Sequence, residues 1–507
     1  MITTQVHTYI DIKILQKYIK KNIDNSSQLL IQLFLISTDN MYIVKIQNIL
    51  NVLLPDAHII GTTTDGSISK DDAENTLISF THFEKSTLKH TLVTFDLAKE
   101  DIAAKTIMQD LLSSRSKVLI IFADGLLCNG EKLSKEIHEE YPELIIAGGL
   151  AGDNAQLVKT FVCENRALKT QAIVALSIDS DSLYVHNDYN LAWEPVGLEM
   201  EITKAKDNII YEIDGERASH IFDKHLNTKY LNTYDTCKSR PTISIEFPLM
   251  IKRDNMYVAR TVMMINEDGS LFCTGEFMKG DRINFSFTDP EKIIQSGIEF
   301  SKKMLKIPVQ SMFIYSCMAR RRFMGENISY DLEPLYNIAP FSGFYSYGEL
   351  FTTSKSIEFL NHTMTLLALS EENDIYVNKV NMSSSLTSHR EETLNVLTKL
   401  IRNTTKESEE SLEKLTETLL YNPHTKELFL LDVLLVLSYA EERFFSFLFK
   451  NKGSSVDTES IFTYIWAGKE KEYRADAIRT LVKKLRKKLP PDIIKNSYGG
   501  YYKLAIS

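Results

Sequence analysis

The chain has 507 residues, too many for one hydrophobic core, and usual domain sizes predict about three units, give or take one. Its apolar and charged fractions, 44% and 25%, are those of a globular protein; no apolar run approaches the ~20 residues that cross a bilayer, so no membrane partner is expected. The net charge of −9 would argue against a nucleic-acid partner were it evenly spread, but eleven basic residues stand against four acidic ones from Lys469 onward, leaving a +7 tail on a −16 body.

Cysteine usage narrows the class further. Cys128, Cys163, Cys237, Cys273 and Cys317 lack CxxC spacing, which argues against a disulfide framework and a zinc ribbon. The N-terminus carries no secretory pattern, so a cytoplasmic location is expected.

Three stretches of the acidic body repeat one theme. Leu29 to Ser37 is an apolar strand candidate, followed by a helical stretch and by Ile59-Ile60-Gly61-Thr62-Thr63-Thr64-Asp65-Gly66. Val118 to Asp124 is the second, ending in Ile145-Ile146-Ala147-Gly148-Gly149-Leu150-Ala151-Gly152-Asp153. Met312 to Cys317 is the third, ending in Phe341-Ser342-Gly343-Phe344-Tyr345-Ser346-Tyr347-Gly348-Glu349. The last glycine lies 29, 28 and 31 positions after Ser37, Asp124 and Cys317, a span that fits a strand–helix–strand unit with a glycine turn after its second strand. Ligands collect at strand ends in α/β sheets. Ser37, Thr62, Asp65, Asp124, Gly149, Asp153, Cys317, Tyr345 and Glu349 are therefore the candidate lining of one cleft. Arg320, beside a strand end and near Glu349, suits capture of a carboxylate. Such glycines also serve as plain turns, and a lone Cys317 is more often a small buried hydrophobe than a nucleophile. No Gly-Lys-Ser/Thr follows any of the turns, so they are not read as phosphate cradles.

These residues resemble a FIST region. The resemblance rests on Ile60-Gly61-Thr62-Thr63-x-Asp65-Gly66, Ala147-Gly148-Gly149-x-Ala151-Gly152-Asp153, Ser316-Cys317-x-Ala319-Arg320 and Gly343-Phe344-Tyr345-x-Tyr347-Gly348-Glu349. It spans roughly residues 27 to 370 and includes Trp193-Glu194-Pro195-Val196-Gly197 and Asp214-Gly215. It implies an N-terminal FIST domain at 27–200, a C-terminal one at 201–372, and a small-molecule ligand, with amino acids as the proposed class. Some members sense nitric oxide through haem; the cofactor is unknown here, and His186, His220 and His362 are the histidines that would hold haem. Each also fits a structural or exposed role.

Residues 383–418 read as a helical connector, free of Gly and Pro. Leu394, Leu397 and Ile401 fit heptad spacing, as do Leu412, Leu415 and Leu419, with an eleven-residue step between the sets. One or two helices pairing with a second chain would make a homodimer; a solvated helix packed on its own domain fits the same spacing.

The basic end has a more specific pattern. Leu419–Tyr421 and Glu427–Leu431 flank Asn422-Pro423-His424, a hairpin signal. Ser438 with Glu441 forms a capping box ahead of Phe444, Phe445, Leu448 and Phe449. Lys452-Gly453 ends that helix, and Asp457 opens a short one through Ile461 to Trp466, stopped near Gly468. Then Ile478, Val482, Leu485 and Leu489 share one face of a third helix ended by Pro490-Pro491, with Arg474, Arg479, Lys483, Arg486 and Lys487 on the rest. Ile493-Ile494-Lys495, Tyr498-Gly499-Gly500 and Tyr501-Tyr502-Lys503-Leu504 read as a hairpin wing.

With Leu437-Ser438-x-x-Glu441, the Lys484-Leu485-Arg486-Lys487-Lys488-Leu489 run and the Tyr498-Gly499-Gly500-Tyr501-Tyr502 hairpin, residues 419–507 resemble an OmpR-type winged-helix domain. The resemblance implies a recognition helix at about Tyr473–Lys488, a minor-groove wing and transcription control. Candidate contacts to double-stranded DNA are Arg474, Arg479, Thr480, Lys483, Lys484, Arg486, Lys487, Lys495, Tyr498, Gly499 and Tyr501. The family commonly has Arg before its wing glycines; Tyr498 takes that place here. OmpR-type domains usually follow a receiver domain, yet the first 120 residues lack its acidic cluster, central Asp and later Lys.

The expected fold is thus an α/β sensor region with strand–helix–strand units, a helical connector and a C-terminal α+β winged helix. The expected function is a one-component transcriptional regulator in which a small molecule controls DNA binding. The alternatives are a phosphorelay response-regulator-like protein with an atypical input domain, a haem-based nitric oxide sensor, and an enzyme using Cys317 as nucleophile or Glu349 as base. No Ser/His/Asp, Cys/His or metal constellation at recognisable spacing supports catalysis, so no catalytic residue and no metal site is expected.

Overall fold

The three repeated segments fold as parallel strand–helix–strand units. Leu29–Leu35 pairs with His58–Thr63 across the helix Asn40–Leu53, and Ser116–Ala123 with Ile145–Leu150 across the helix Gly130–Glu140. Ser311–Cys317 pairs with Phe341–Ser346 across the short helices Met318–Met324 and Ile328–Leu332. The structure, a computed structural model, describes residues 1–70, 74–226, 243–253, 256–353, 355–375, 413–416, 418–423, 426–431, 433–435, 437–466, 473–497 and 500–505. The chain divides into two compact units, Met1–Leu394 and Asn395–Ser507.

In the first unit each strand–helix–strand element lies in its own mixed sheet, of six, six and five strands. All seven residues of Leu29–Leu35 and of Ser311–Cys317 are buried, because both sheet faces are covered; this is why those stretches are apolar without alternation. One face of each sheet turns to a shared core, to which Phe34, Phe122, Tyr315 and Phe344 contribute from the three units. Their rings meet at centroid distances between 5.3 and 6.0 Å. The opposite faces carry helices: Ile31, Leu33 and Leu35, for instance, pack on Ile43, Ile46 and Leu50. A strand Thr3–Thr8, invisible to the motif reading, extends the first sheet.

Gly66, Gly152 and Gly348 lie just past the second strands, as expected of turns, and a further set of glycines has another role. Gly61, Gly148 and Gly343 lie inside the second strands, in register with Leu33, Ile121 and Ile314. A Cβ would fall 2.7 Å from the Leu33 Cβ, 2.0 Å from the Ile121 carbonyl oxygen and 1.6 Å from that of Ile314. Each unit therefore needs glycine at the same register so that its two strands can approach.

A fourth, eight-stranded antiparallel sheet follows, built on the long strand Glu194–Lys206 with a core that includes Ile202, Ile210, Phe222 and Ile251. Asp214 and Gly215 make its hairpin turn, both at positive φ.

The C-terminal unit opens with a four-stranded sheet, Glu413–Lys414, Leu419–Asn422, Glu427–Leu430 and Val433–Leu434, of which only the central hairpin was expected. Helices Tyr439–Lys450, Thr458–Ile465 and Ala475–Leu485 follow, then strands Ile494–Ser497 and Tyr501–Leu504 joined to Val456–Asp457. Ser438 and Glu441 form the capping box, and Asp457 caps the second helix through the Ser460 amide. Phe444, Phe445, Leu448 and Phe449 are buried, as are Ile478, Leu481, Val482, Leu485 and Leu489. Among the described residues no helix is long and apolar enough to cross a membrane.

The connector reading needs one correction. Leu394, Leu397, Ile401 and Leu412 lie outside the described residues, but Leu415 and Leu419 are buried in the C-terminal core. The Leu415 amide donates to the Leu419 carbonyl at 2.8 Å, closing a turn. Leu419 and Tyr421 then alternate into the core as a strand, so burial against Phe445 and Phe449 overrides heptad spacing here.

Candidate functional site

The ends of the three second strands converge and bond to one another. The Asp65 amide donates to the Tyr345 carbonyl at 2.9 Å and the Tyr345 amide to the Gly66 carbonyl at 2.8 Å, joining the first and third units. The Gly152 amide reaches the Thr63 carbonyl at 2.9 Å, and the Leu150 amide the Gly348 carbonyl at 2.9 Å, so the second unit joins both others. A Cβ on Gly152 would sit 2.6 Å from the Asp65 nitrogen, which explains glycine at that crossing.

Charged side chains fill this junction. Asp65 is fully buried and receives Arg322 on both oxygens, Nη2 to Oδ1 at 2.7 Å and Nε to Oδ2 at 3.2 Å. Arg322 also donates to Asn154 Oδ1 at 2.9 Å. Arg321 holds the Asp65 carbonyl oxygen, with its carboxylate 3.4 Å away, and pairs with Glu74 on its other nitrogen. Burial pushes the Asp65 carboxyl up, and the two guanidiniums pull it back. Asp153 accepts from the amides of Leu157, Val158 and Lys159 and from the Tyr347 hydroxyl. Burial opposes its charge, but those donors prevail and hold its carboxyl below the usual range.

The other candidates are less available. Both Asp124 oxygens are bonded, one to the amides of Leu126 and Leu127 and to Thr160, the other to the Gln171 amide at 2.7 Å. Ser37 accepts from the Asp39 amide, the Thr62 hydroxyl donates to the Thr63 carbonyl, and Gly149 backs onto Gly348 and Ser346. Glu349 is buried, receives the hydroxyls of Ser346 and Thr363 at 2.6 Å each, and has its pKa pushed by burial to about 8. Burial and Glu349 push the Cys317 thiol far up, so it is not a thiolate near neutral pH. Arg320 lies near enough to Glu349 to favour its charge, but its guanidinium is taken by Asp331 at 2.6 and 2.8 Å, both side chains fully buried. A seven-residue helix turns the arginine run so that Arg320 points inward while Arg321 and Arg322 reach the junction. Those two, with Asn154, Tyr347 and Glu74, are the residues that motif reading missed; the run Arg320-Arg321-Arg322 directly after a strand was the available signal.

Beside the junction lies an open cavity of about 280 Å³, lined among others by Ser67, Glu74, Arg321, Ser329, Tyr336 and Tyr345. Among the described residues, none of the three histidines that would hold haem lines this cavity. The cavity lining holds no histidine or cysteine, and His362 is fully buried against Trp193 and bonded to Thr261 at 2.7 Å, with burial lowering its pKa to about 3. His220 is exposed, and His186 lies half-buried on a strand. Among the described residues no group of three or more His, Cys, Asp or Glu is placed for a metal ion.

In the C-terminal unit the third helix buries Ile478, Leu481, Val482 and Leu485 and exposes Arg479, Thr480, Lys483 and Lys484. Lys487, just past the helix end, is exposed as well. Arg474 is exposed at the N-cap. Arg486 differs from its neighbours, since its guanidinium donates to the Ile494 carbonyl at 2.6 and 3.1 Å and to Asn496 Oδ1 at 2.7 Å, tying the helix end to the wing. Lys488 pairs with Glu441 of the capping box at 2.9 Å. Lys495 and Tyr501 are exposed on the wing; Tyr498 and Gly499 lie outside the described residues.

This geometry defines an α/β body of three interlocked units, with a winged helix as the second compact unit. Family models match in the same places: the FIST N domain over residues 30–216, the FIST C domain over 227–352, and the transcriptional regulatory protein C-terminal domain over 433–504. The chain therefore combines FIST N and C domains with an OmpR-type winged-helix domain. No curated protein matches the sequence. Among solved structures, the DNA-binding domain of CpxR from E. coli is similar at 23% identity and TM-score 0.17, over 18% of this chain and 94% of that one. The C-terminal DNA-binding domain of RstA from Klebsiella pneumoniae is similar at 21% identity and TM-score 0.16, over 19% and 86%. The response regulator DrrB, a Thermotoga maritima OmpR/PhoB homolog, is similar at 20% identity and TM-score 0.18, over 24% and 63%. FIST domains joined to a C-terminal regulatory domain suggest a transcriptional regulator.

Proposed function

We propose that this chain is a cytoplasmic one-component transcriptional regulator, in which a small molecule bound by the FIST region changes the affinity of the winged helix for double-stranded DNA. The observation that carries the reading is the third helix: four buried apolar residues anchor it, and Arg479, Thr480, Lys483 and Lys484 are left exposed. An anchored helix with a cationic outer face suits the major groove, where such side chains meet phosphates and guanine edges. The cavity beside the three-unit junction is the ligand site of this reading. A ligand there acts only by binding two states unequally. A homodimer would set two third helices on successive half-sites.

The test is selection of duplexes from a random pool by the full chain. One sequence should be enriched; Arg479→Ala should blur it, and Lys495→Ala should weaken all duplexes alike. Molecules released from the purified chain by denaturation and identified by mass spectrometry should shift that affinity when added back. Cys317→Ala should leave DNA binding intact. No enrichment, or equal affinity with and without the released molecule, contradicts the reading. Acyl-phosphate labelling of the FIST region that alters DNA affinity would favour the phosphorelay alternative.

A further inference from the structure

The cavity contains a mostly buried cation whose partner comes from the solvent side. Arg321 is 11% exposed, whereas Glu74, which takes one of its terminal nitrogens, is 69% exposed. The other terminal nitrogen holds the Asp65 carbonyl at the junction, and the guanidinium carbon lies 5.5 Å from the centre of the Tyr345 ring. Tyr345 lines the same cavity, is 1% exposed, and its hydroxyl has no hydrogen-bond partner among the described residues. A buried hydroxyl left unpaired is costly, so on a tyrosine whose ring packs against a guanidinium it signals a missing acceptor.

From this arrangement we propose that the cavity binds a small molecule through a carboxylate, which replaces Glu74 on Arg321 and accepts a hydrogen bond from the Tyr345 hydroxyl. The inference rests on the cavity being the ligand site and adds the ligand's chemical class and its internal competitor. An ion pair whose carboxylate stands in solvent is weakened and screened by salt, so Glu74 yields to an anion that also satisfies a buried donor. The planar fork of arginine matches a carboxylate. The cavity, at about 280 Å³, lies at the small end of the ligand-pocket range, which favours a compact ligand. Because Arg321 also holds the Asp65 carbonyl, and the Asp65 amide bonds the Tyr345 carbonyl, the ligand bears on the backbone where the first and third units meet.

The experiment titrates acetate, succinate, benzoate and phenylacetate into the full chain by calorimetry, each beside its amide, with inorganic phosphate as a further arm. At least one carboxylate should bind and its amide should not. Glu74→Gln should tighten that binding about fivefold, the scale of an exposed ion pair, and Arg321→Gln should abolish it. Tyr345→Phe removes only an unpaired hydroxyl, so the fold should persist while the carboxylate binds about fivefold more weakly. The proposal is overturned if no carboxylate binds, if amides or phosphate alone bind, or if Glu74→Gln leaves affinity unchanged. Ser329→Trp separates the two levels. Blocked binding with no preference for carboxylates sinks this proposal and leaves the cavity as the ligand site, whereas binding that survives Ser329→Trp removes the cavity itself.

Discussion

The two compact units use cations in opposite ways. In the FIST region the arginine run is turned inward: Arg320 closes on Asp331 with both side chains buried, and Arg322 on Asp65. In the C-terminal unit Arg479 is 70% exposed, and its one described ionic partner, Asp476, is 82% exposed. The first pattern holds strand ends together, and the second leaves charge free for a polyanion. The same residue type is therefore structural where it is buried and, on the proposed reading, contacts DNA where it is exposed; burial, not identity, separates them.

Four tests probe that contrast, in falling order of effect. Gly343→Ala places a Cβ where the Ile314 carbonyl stands, so the unfolding transition of the FIST region should be lost from calorimetry while that of the C-terminal unit remains. Asp331→Ala leaves Arg320 buried without its carboxylate and should cost about 3–5 kcal/mol by denaturant titration, whereas Asp476→Ala should stay within about 0.5 kcal/mol. Comparable costs for the two would erase the contrast. Ser438→Ala removes half of the capping box and should cost about 1 kcal/mol in the C-terminal transition.

The fourth concerns pH. Glu349 is an acid whose folded pKa, about 8, lies above its ordinary value of 4.5. The folded state thus holds a proton that the unfolded state has released between those values, and stability falls as pH rises through that window. Glu349→Gln mimics the protonated form, so its melting temperature should gain on wild type steadily from pH 5 to pH 8.5 or so. A difference that does not change with pH would show that this carboxyl is ionised throughout.

Much of this was legible in the sequence, for identifiable reasons. Apolar runs and glycine spacing revealed the three strand–helix–strand units, because strands covered on both faces need no polar alternation. The outer face of the third helix followed from a helical wheel, since exposed positions need no partner. The inward arginines were not legible, because their carboxylates lie 11 and 257 positions away, at Asp331 and Asp65. The grip of Arg486 on the wing was not legible for a similar reason: its acceptor is the Ile494 carbonyl, and backbone acceptors leave no mark in a sequence. The eight-stranded sheet escaped because Glu194–Lys206 is broken by register shifts and mixes exposed and buried residues without a period of two.

The most direct test of the regulator account is the salt dependence of duplex binding by the full chain, with and without Lys483→Ala and Lys487→Ala together. Affinity should fall steeply as salt rises, and the double substitution should make the log–log slope shallower by about 1.8, two released counterion equivalents. Arg486→Ala should weaken binding with the slope unchanged, since that side chain grips the wing. Failure to bind any duplex at low salt, or a slope indifferent to Lys483 and Lys487, would contradict the account.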